Sequence, residues 1–243
     1  RRKGPRGVTS ALQAIIFDFD GVIADSEPLH FRAFQQALAE DGLELAPKEY
    51  YARYLGYDDV GMFQAFGEDR GLPMDAERVK ELVARKGVKL QAMMSAGSVL
   101  FPGAADFVRA AAHAVPIAIA SGALRHEIVE IIEAAGVSNL FAAIVASGDT
   151  PESKPSPEPY RLAFERLRET TGTALDPRRC VAIEDSRWGL ESARGAGLRC
   201  VGVTNSYPAD ELAGAELVVS GLQALTIEAL DSLCANGGPR EAR

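Results

Sequence analysis

Two aspartates, Asp18 and Asp20, stand where an apolar run of the chain ends. The run 14–17 is short and rich in β-branched and aromatic side chains, which is typical of a strand inside a parallel sheet. In an extended chain, residues i and i+2 point to the same side, so the two carboxyl groups can face one pocket. Carboxylates this close repel each other unless a cation lies between them or one of them holds a proton. The pair therefore indicates a cation site or an acid–base site.

Further polar residues follow later apolar runs of the sequence. In chain order they are Ser121-Gly122, Lys154 and Glu184-Asp185. Each has an ordinary structural explanation when taken alone, as a helix N-cap, a solvated turn lysine, or acids favoured at a helix N-terminus. Open α/β sheets bind ligands in the crevice at the carboxyl ends of their strands. The occurrence of these groups in order at successive strand ends therefore favours one shared site.

This combination of four acids, a lysine and a hydroxyl suits chemistry on a phosphoryl group. Carboxylates without histidine or cysteine indicate a hard cation such as Mg²⁺, which prefers oxygen ligands and often binds together with substrate phosphate. Lys154 and Ser121, with the backbone N–H groups of Gly21 and Gly122, would supply donors for the oxygens of an anion. One carboxylate could then attack phosphorus, because the cation and the lysine offset the repulsion between the two anions.

The elements that must position these groups alternate between strand and helix. Apolar runs predict strands at 14–17, 116–120, 142–146, 180–183, 199–203 and 217–219. Between 29 and about 98 only helical patterns occur, which indicates an all-helical domain inserted into an α/β chain. The predicted organisation is a flexible tail at 1–10, an α/β core at 11–26 and 99–225, a helical insert at 27–98, and a C-terminal helix and tail at 226–243. The predicted core is a three-layer, Rossmann-like parallel sheet.

The bulk composition excludes several classes of function. The 243 residues include 47% hydrophobic and 25% charged residues, as in an ordinary soluble globular protein. A net charge of −8 argues against a general binder of nucleic acid or of anionic membranes. The three cysteines, Cys180, Cys200 and Cys234, lack the spacing of metal ligands and favour a reducing cytoplasm. No apolar segment of membrane-spanning length is present in the sequence.

The four polar groups together resemble the sequence motifs of the haloacid dehalogenase (HAD) superfamily of aspartate-nucleophile phosphatases. Within it, the chain resembles the β-phosphoglucomutase-like branch, in which a helical cap follows the first motif. The matching motifs are Phe17-Asp18-Phe19-Asp20-Gly21-Val22, Ala120-Ser121-Gly122, Ser153-Lys154-Pro155 and Ile183-Glu184-Asp185-Ser186. The resemblance extends from about residue 11 to residue 225, and four motifs in order make it specific.

The resemblance assigns roles to individual residues. It implies that Asp18 is the nucleophile and forms an aspartyl-phosphate, and that Asp20 is the general acid and base. The implied Mg²⁺ ligands are the side chains of Asp18 and Asp185, the main-chain carbonyl of Asp20, and Glu184 as a further candidate. Ser121 and Lys154 would hold the transferred phosphoryl group. A dehalogenase attacks carbon and needs no metal, so the second aspartate and the acidic fourth motif favour phosphoryl transfer.

Residues of the predicted cap bear on the choice between a phosphatase and a sugar-phosphate mutase. His30 matches a histidine near the hinge of β-phosphoglucomutase, and His30 and Tyr57 are the predicted substrate contacts in the cap. The segment 55–60 carries acids where the mutase has an arginine that grips the distal phosphate, although Arg53 or Lys86 could still reach such a group. The segment 123–126 lacks the lysine that the mutase has after its second motif.

The expected protein is therefore a magnesium-dependent phosphatase of a small phosphorylated metabolite, such as a sugar or polyol phosphate. We expect it to be a cytoplasmic monomer that binds neither nucleic acid nor membranes. A β-phosphoglucomutase-type mutase is the alternative. A catalytically idle binding protein is less favoured, because Asp18, Asp20, Lys154 and Asp185 are all present.

Overall fold

A six-stranded parallel sheet forms the centre of the computed structural model, which describes residues 10–55, 57–94 and 99–236. The strands are β1 (Ala14–Phe17), β2 (Ile117–Ala120), β3 (Phe141–Val145), β4 (Cys180–Glu184), β5 (Arg199–Val203) and β6 (Leu217–Val219). Their order in the sheet is β3-β2-β1-β4-β5-β6. All six predicted strands are present within one residue at either end. One difference matters for the site, since β4 includes Glu184, which the sequence analysis had placed just after the strand.

The register of the central strands brings the ends of β1, β2 and β4 to one edge of the sheet. Ile16 of β1 lies opposite Ala118 of β2 on one side and Ala182 of β4 on the other. Because the three strands are parallel and in register, the residues that follow them leave the sheet at the same edge. Asp18 therefore follows the strand in the middle of this edge.

Helices connect the strands and form a separate bundle between β1 and β2. They are α1 (Glu27–Ala39), α2 (Pro47–Glu49), α3 (Asp59–Arg70), α4 (Ala76–Met94), α5 (Ala104–Ala114), α6 (Arg125–Ala134), α7 (Glu158–Thr171), α8 (Arg187–Gly195) and α9 (Ile227–Ala235). A π-helical turn, Tyr50–Tyr54, continues α2. None of the described helices is both long and apolar enough to cross a membrane.

Apolar side chains on both faces of the sheet bind the helices of the core. Ile16 packs in one buried cluster with Ala163 of α7 and Leu190 of α8. Phe17, the next residue along β1, points to the other face and meets Phe107 of α5 edge to face, with ring centroids 6.2 Å apart. Alternate residues of a strand face opposite sides, so this arrangement gives three layers. The predicted α/β fold class is confirmed.

The chain divides into two compact units, with the boundaries after Asp25 and after Val99. The core unit contains the sheet. The helical unit, Ser26–Val99, contains helices and no strand among its described residues, and α1 packs along α4. Its interior is aromatic, with Phe34, Tyr50, Tyr54, Phe63 and Phe66 all buried. The role of the helical unit as a cap stays a prediction. Of the predicted tail at 1–10, only Ser10 lies within the described residues. Of the predicted C-terminal helix and tail at 226–243, residues 226–236 are described, and they include α9.

Candidate active site

A lysine and two carboxylates from three different segments meet at the carboxyl edge of the sheet. The ammonium group of Lys154 donates to Asp18 Oδ1 at 2.8 Å and to Glu184 Oε1 at 2.6 Å. Asp18 follows β1, Glu184 ends β4, and Lys154 lies in the loop between β3 and α7. Glu184 is fully buried, and Asp18 is 9% exposed. The structure thus joins the first, third and fourth motifs in one ion-paired group.

A third carboxylate, Asp185, completes what we call the carboxylate cluster (Asp18, Glu184 and Asp185). One oxygen from each of the three side chains lies within 4.8 Å of the others. Asp185 also accepts a hydrogen bond from Ser206. Buried or nearly buried hard oxygen atoms from three acids form a donor set that fits a divalent cation such as Mg²⁺. The cluster carries three carboxylates against the single ammonium of Lys154, so a cation would also offset its excess of negative charge.

Burial and mutual repulsion change the proton affinities of these groups. Burial raises the pKa of Asp18 well above its usual range and the charge of Glu184 adds to this, although Lys154 acts in the opposite sense. Burial, with the charge of Glu184, raises the pKa of Asp185 to about 6. Burial alone would lower the pKa of Lys154, but Asp18 and Glu184 outweigh it and raise that pKa. The lysine therefore stays charged at neutral pH. A divalent cation bound to the carboxylates would counteract the mutual repulsion that contributes to their raised pKa values.

Gly21 leaves room for the carboxylate cluster. Its φ of +76° lies in the left-handed region that favours glycine, and a Cβ atom there would overlap the carboxyl group of Asp185. The carbonyl of Gly21 accepts a hydrogen bond from Asn205 Nδ2 at 2.8 Å, which fixes the turn. The motif predicts that the backbone N–H of Gly21 is directed to an anion, whereas in the structure that N–H donates to Ala24 O at 2.9 Å. In the structure, Gly21 contributes to the site because its lack of a side chain leaves space for the carboxyl group of Asp185.

Glu184 has further partners that the sequence analysis missed. The hydroxyl of Tyr160 donates to Glu184 Oε1 at 2.8 Å, and the hydroxyl of Ser186 donates to Oε2 at 3.2 Å. Tyr160 is fully buried in α7. From sequence alone, a tyrosine on the apolar face of a helix is interpreted as a core residue, so its contact with Glu184 was not predicted. The position of Tyr160 six residues after Lys154, at the start of a helix, was the available signal.

Ser121 and Gly122 lie at the end of β2, as predicted, but outside these ion pairs. Ser121 is 5% exposed, and its hydroxyl accepts from the backbone N–H of Ala123 at 3.0 Å. No hydrogen bond joins Ser121 to Asp18 or Lys154 in the part of the chain that the structure describes. The Ser121 hydroxyl thus stabilises the local turn after β2. Its contact with a phosphoryl group stays a prediction.

Asp20 lies outside the carboxylate cluster. It is half-buried, and its backbone forms an isolated bridge with Ala24. The resemblance assigns it a metal contact through its main-chain carbonyl, which is compatible with a side chain that stands apart from the cluster. Its role as acid and base stays a prediction.

His30 belongs to a partly buried polar group inside the helical unit. His30 Nδ1 lies 3.0 Å from Lys86 Nζ, and Lys86 donates to the two carboxylate oxygens of Asp59 at 2.7 and 2.9 Å. Lys86 is only 1% exposed. Burial, together with the charge of Lys86, lowers the pKa of His30 to about 4. His30 is therefore neutral at neutral pH, and its contact with a substrate stays a prediction.

The remaining predicted residues of the helical unit are exposed or paired. Tyr57 is 55% exposed. Arg53, which the sequence analysis considered for a second phosphate, donates to Asp69 at 2.6 Å. Lys86, considered for the same role, is held by Asp59. Both cations are therefore occupied by acids of their own unit.

The sequence motifs and their geometry agree with a family model. The model of haloacid dehalogenase-like hydrolases matches residues 12–197. The chain belongs to this family. Protein CbbY of Rhodobacter capsulatus is 32% identical to this hydrolase over 233 residues, which is 91% of this chain and 99% of that protein. The phosphorylated carbohydrates phosphatase of Thermotoga maritima is 30% identical over 196 residues, which is 80% of this chain and 87% of that protein.

Solved structures support the same assignment. CbbY of Rhodobacter sphaeroides, crystallised as a variant in complex with xylulose-1,5-bisphosphate, superimposes on this hydrolase with a TM-score of 0.76. The two chains are 30% identical, and the match covers 90% of this chain and 99% of that one. The predicted family is thereby confirmed, and with it the expectation of an enzyme of the hydrolase class.

Proposed function

We propose that this hydrolase is a magnesium-dependent phosphatase that cleaves a small phosphorylated metabolite through an aspartyl-phosphate on Asp18. The observation that carries the proposal is the carboxylate cluster beside Lys154, because buried acids paired with one ammonium suit a divalent cation and a phosphoryl group. Sugar or polyol phosphates are the proposed substrates. The complex of CbbY with xylulose-1,5-bisphosphate and the name of the Thermotoga relative support this substrate class.

The proposed Mg²⁺ would be held by the carboxylate cluster and the main-chain carbonyl of Asp20. The ion, when bound, would neutralise the cluster and stabilise the charge of the transferred phosphoryl group. The helical unit would act as a cap over the core unit, as in the β-phosphoglucomutase-like branch. A monomer in the cytoplasm completes the proposal, and the three free, buried cysteines support a reducing compartment.

In the first step, Asp18 attacks the phosphorus atom of the monoester. A bond forms between a carboxylate oxygen and phosphorus, the bond from phosphorus to the ester oxygen breaks, and Asp20 gives that oxygen its proton. Lys154 would turn from its contact with Asp18 toward the phosphoryl oxygens, and Ser121 would donate to them.

In the second step, Asp20 accepts a proton from a water molecule. The water oxygen then forms a bond to phosphorus as the bond to Asp18 breaks, and this releases inorganic phosphate. Asp18 returns to its carboxylate form, and Asp20 again holds a proton for the next cycle. Lys154 pairs with Asp18 in the structure, so it would keep the carboxylate oriented between turnovers.

The mutase alternative requires a cation that grips the second phosphate of a bisphosphate intermediate. Arg53 and Lys86 were the candidates in the helical unit, and both are paired with acids there. This observation favours the phosphatase.

A substrate screen separates the proposed activities. The purified protein is incubated with a panel of phosphomonoesters that includes xylulose-1,5-bisphosphate, glucose 6-phosphate and phosphoglycolate, with magnesium or with chelator. Phosphate release that needs magnesium is the expected result. An isomerised sugar phosphate that requires a bisphosphate primer would identify a mutase instead. Absence of both products over a broad panel would favour an idle binding protein.

Asp18→Asn tests the nucleophile directly. The amide cannot form the aspartyl-phosphate, so we expect turnover to fall below detection while the thermal unfolding transition remains cooperative. Asp106→Asn is the matched control, because the Asp106 side chain is 91% exposed, and it should retain full activity. Wild-type turnover in the Asp18 variant would remove Asp18 from the nucleophile role.

A further inference from the structure

A cleft lined by three arginines lies in the core unit, away from the carboxylate cluster. Its volume is about 670 Å³, and its charged lining consists of Arg178, Arg194, Arg199 and Glu216, which we call the arginine cleft. Gly197 and Gly214 also line it. Small side chains between the guanidinium groups leave space for a ligand, and the volume lies in the range of small-molecule sites.

The arginine cleft lies at the opposite edge of the sheet from the candidate active site. Arg199 is the first residue of β5, and Arg178 lies two residues before the start of β4. Asp185, by contrast, follows the last residue of β4. A five-residue strand spans roughly 16 Å, so a ligand in the cleft would not touch the carboxylate cluster.

The arginine cleft has more guanidinium groups than carboxylates that pair with them. Arg178 pairs with Asp176, and Arg199 pairs with Glu216 at 3.2 Å. The guanidinium of Arg194 forms no ion pair with any described residue. Three guanidinium groups against two carboxylates leave one net positive charge, in a chain whose net charge is −8. A positive cleft is therefore a local exception to the charge of the protein.

Arg199 provides a second sign of an incomplete polar environment. Its Nη2 donates to Leu233 O at 2.6 Å, and this bond holds the side chain in place. Its Nε atom is buried and has no hydrogen-bond partner among the described residues. Buried polar atoms without partners are rare in proteins, because each one costs roughly 1–3 kcal/mol.

We propose that the arginine cleft is a second, non-catalytic site that binds a small anion bearing a phosphate group. Guanidinium groups match the oxygens of phosphate by paired hydrogen bonds, which favours phosphate over a simple monovalent anion. Arg194 supplies the guanidinium that is not paired with an acid among the described residues, and Arg178 and Arg199, each paired with one, add positive charge to the walls around it. Inorganic phosphate and the phosphate of an organic ester share this chemistry, and the two sources differ only in how much of the cleft they fill.

The test is a titration followed by the backbone amide resonances of the ¹⁵N-labelled protein in chelator, which suppresses metal-dependent turnover. The probes are inorganic phosphate and ADP, with sodium chloride at matched ionic strength as the salt control. The amides of Gly197 and Gly214 report on the cleft, and those of Gly21 and Gly122 report on the candidate active site. Saturable shifts of Gly197 and Gly214 with either probe support the site, and the tighter probe identifies the source.

Arg194→Ala should lower the affinity for whichever probe binds by about tenfold, which is the effect of one lost charge-assisted contact. Arg168→Ala is the matched control, because Arg168 is an exposed arginine of α7 outside the cleft, and it should leave the affinity unchanged. The proposal is overturned if the cleft amides do not saturate, if sodium chloride shifts them equally, or if Arg194→Ala has no effect. Since the readout is binding in chelator, the result does not depend on the proposed phosphatase reaction.

Discussion

Glu184 shows how a single residue connects the strand, the loop and the helices of the candidate active site. It is fully buried at the end of β4, and its carboxylate accepts hydrogen bonds from Lys154, Tyr160 and Ser186. A buried carboxylate is stable only when charged and polar partners replace its water. Glu184 therefore fixes Lys154, whose second contact is Asp18, and so positions the proposed nucleophile indirectly.

Tyr160→Phe should destabilise the core unit although it removes only one oxygen atom. The lost hydroxyl donates to Glu184 Oε1, and hydrogen bonds to charged groups contribute about 1.5–3 kcal/mol. We expect a loss of that size in the free energy of unfolding, measured by urea denaturation in chelator. Tyr57→Phe is the control, since Tyr57 is exposed, and it should change stability by less than about 0.5 kcal/mol. Equal stability of the two variants would show that the Tyr160 bond contributes nothing.

At this scale the sequence predicted the acids and missed their supporting residues. Asp18 and the pair Glu184-Asp185 were identified because acids at the end of an apolar run are unusual in a buried strand. Tyr160 was marked only by its position at a helix start, six residues after Lys154, and Ser206 was not marked by any pattern. A tyrosine in a helix and a serine in a loop are common, and their roles arise only from the folding of distant segments onto one carboxylate.

At the scale of elements, the start of α8 is shaped by the strand before it. Ser186 is the N-cap and accepts from the backbone N–H of Gly189 at 3.1 Å. This turn brings Gly189 against the carboxyl group of Glu184, which a Cβ atom at Gly189 would overlap. The helix therefore needs a glycine in its first turn, in spite of the low helix propensity of glycine.

Gly189→Ala should destabilise the protein, although alanine ordinarily stabilises a helix by about 1 kcal/mol relative to glycine. The added methyl group would push the Glu184 carboxylate away from Lys154, so both the melting temperature and the rate of phosphate release should fall. Gly87→Ala in α4 is the matched control, because nothing lies within 4 Å of the added atom. We expect Gly87→Ala to raise the melting temperature slightly. A Gly189 variant that behaved in the same way would contradict the overlap.

His30, Asp59 and Lys86 link three helices of the helical unit, α1, α3 and α4. The folded-state pKa of His30 is about 4, below its ordinary value of 6.5. Well above pH 6.5 the imidazole is neutral in both the folded and the unfolded state. Between these values the unfolded chain binds a proton that the folded chain does not, so the free energy of unfolding should fall as the pH falls toward 4. Lys86 and Asp59 are the charged groups that face the ring.

The measurement is urea denaturation of the wild type and of His30→Gln across this pH range. Glutamine can accept a hydrogen bond from Lys86 but does not titrate, so the variant should lose less stability on acidification than the wild type. His126→Gln replaces an exposed histidine of α6 and should keep the wild-type pH dependence. Parallel curves for the wild type and His30→Gln would show that His30 does not cause the acid sensitivity.

Local patterns predicted most element boundaries but not their finer form. β1 and β5 were predicted residue for residue, because buried parallel strands are continuous apolar runs. Helix α1 begins two residues before the predicted apolar pattern, at Glu27, because its first turn holds Pro28 and polar residues that carry no hydrophobic periodicity. The segment Tyr50–Tyr54 lies in the predicted helical insert, but hydrophobic periodicity does not distinguish its π-helical form from an α-helix.

At the scale of the whole molecule, the strand order decides which motifs can meet. Asp18 and Glu184 are far apart in sequence, yet β1 and β4 are neighbours in the sheet, with Phe17 opposite Ile183. This pairing order cannot be read from hydrophobic periodicity, which gives the elements without their neighbours. It could be expected only from the resemblance to the HAD motifs and from the rule that such sheets bind ligands at their carboxyl edge.

The convergence of three acids on one edge predicts that magnesium stabilises the folded core. A ligand that binds only the folded state at one hundred times its dissociation constant adds about 2.7 kcal/mol. For a chain of this size that corresponds to roughly 5–10 °C in melting temperature. The single tryptophan, Trp188, lies in α8 three residues after Asp185, so its fluorescence reports the unfolding of this region.

Asp185→Asn should abolish most of this magnesium-dependent shift, because the amide removes a charge from the carboxylate cluster. In chelator the variant should be at least as stable as the wild type, since the substitution removes a charge whose burial and repulsion by Glu184 raise the pKa of Asp185. Asp106→Asn, far more exposed, should keep the full shift. A full magnesium shift in the Asp185 variant would mean that the ion binds elsewhere, and the cluster would then lose its assignment as the metal site.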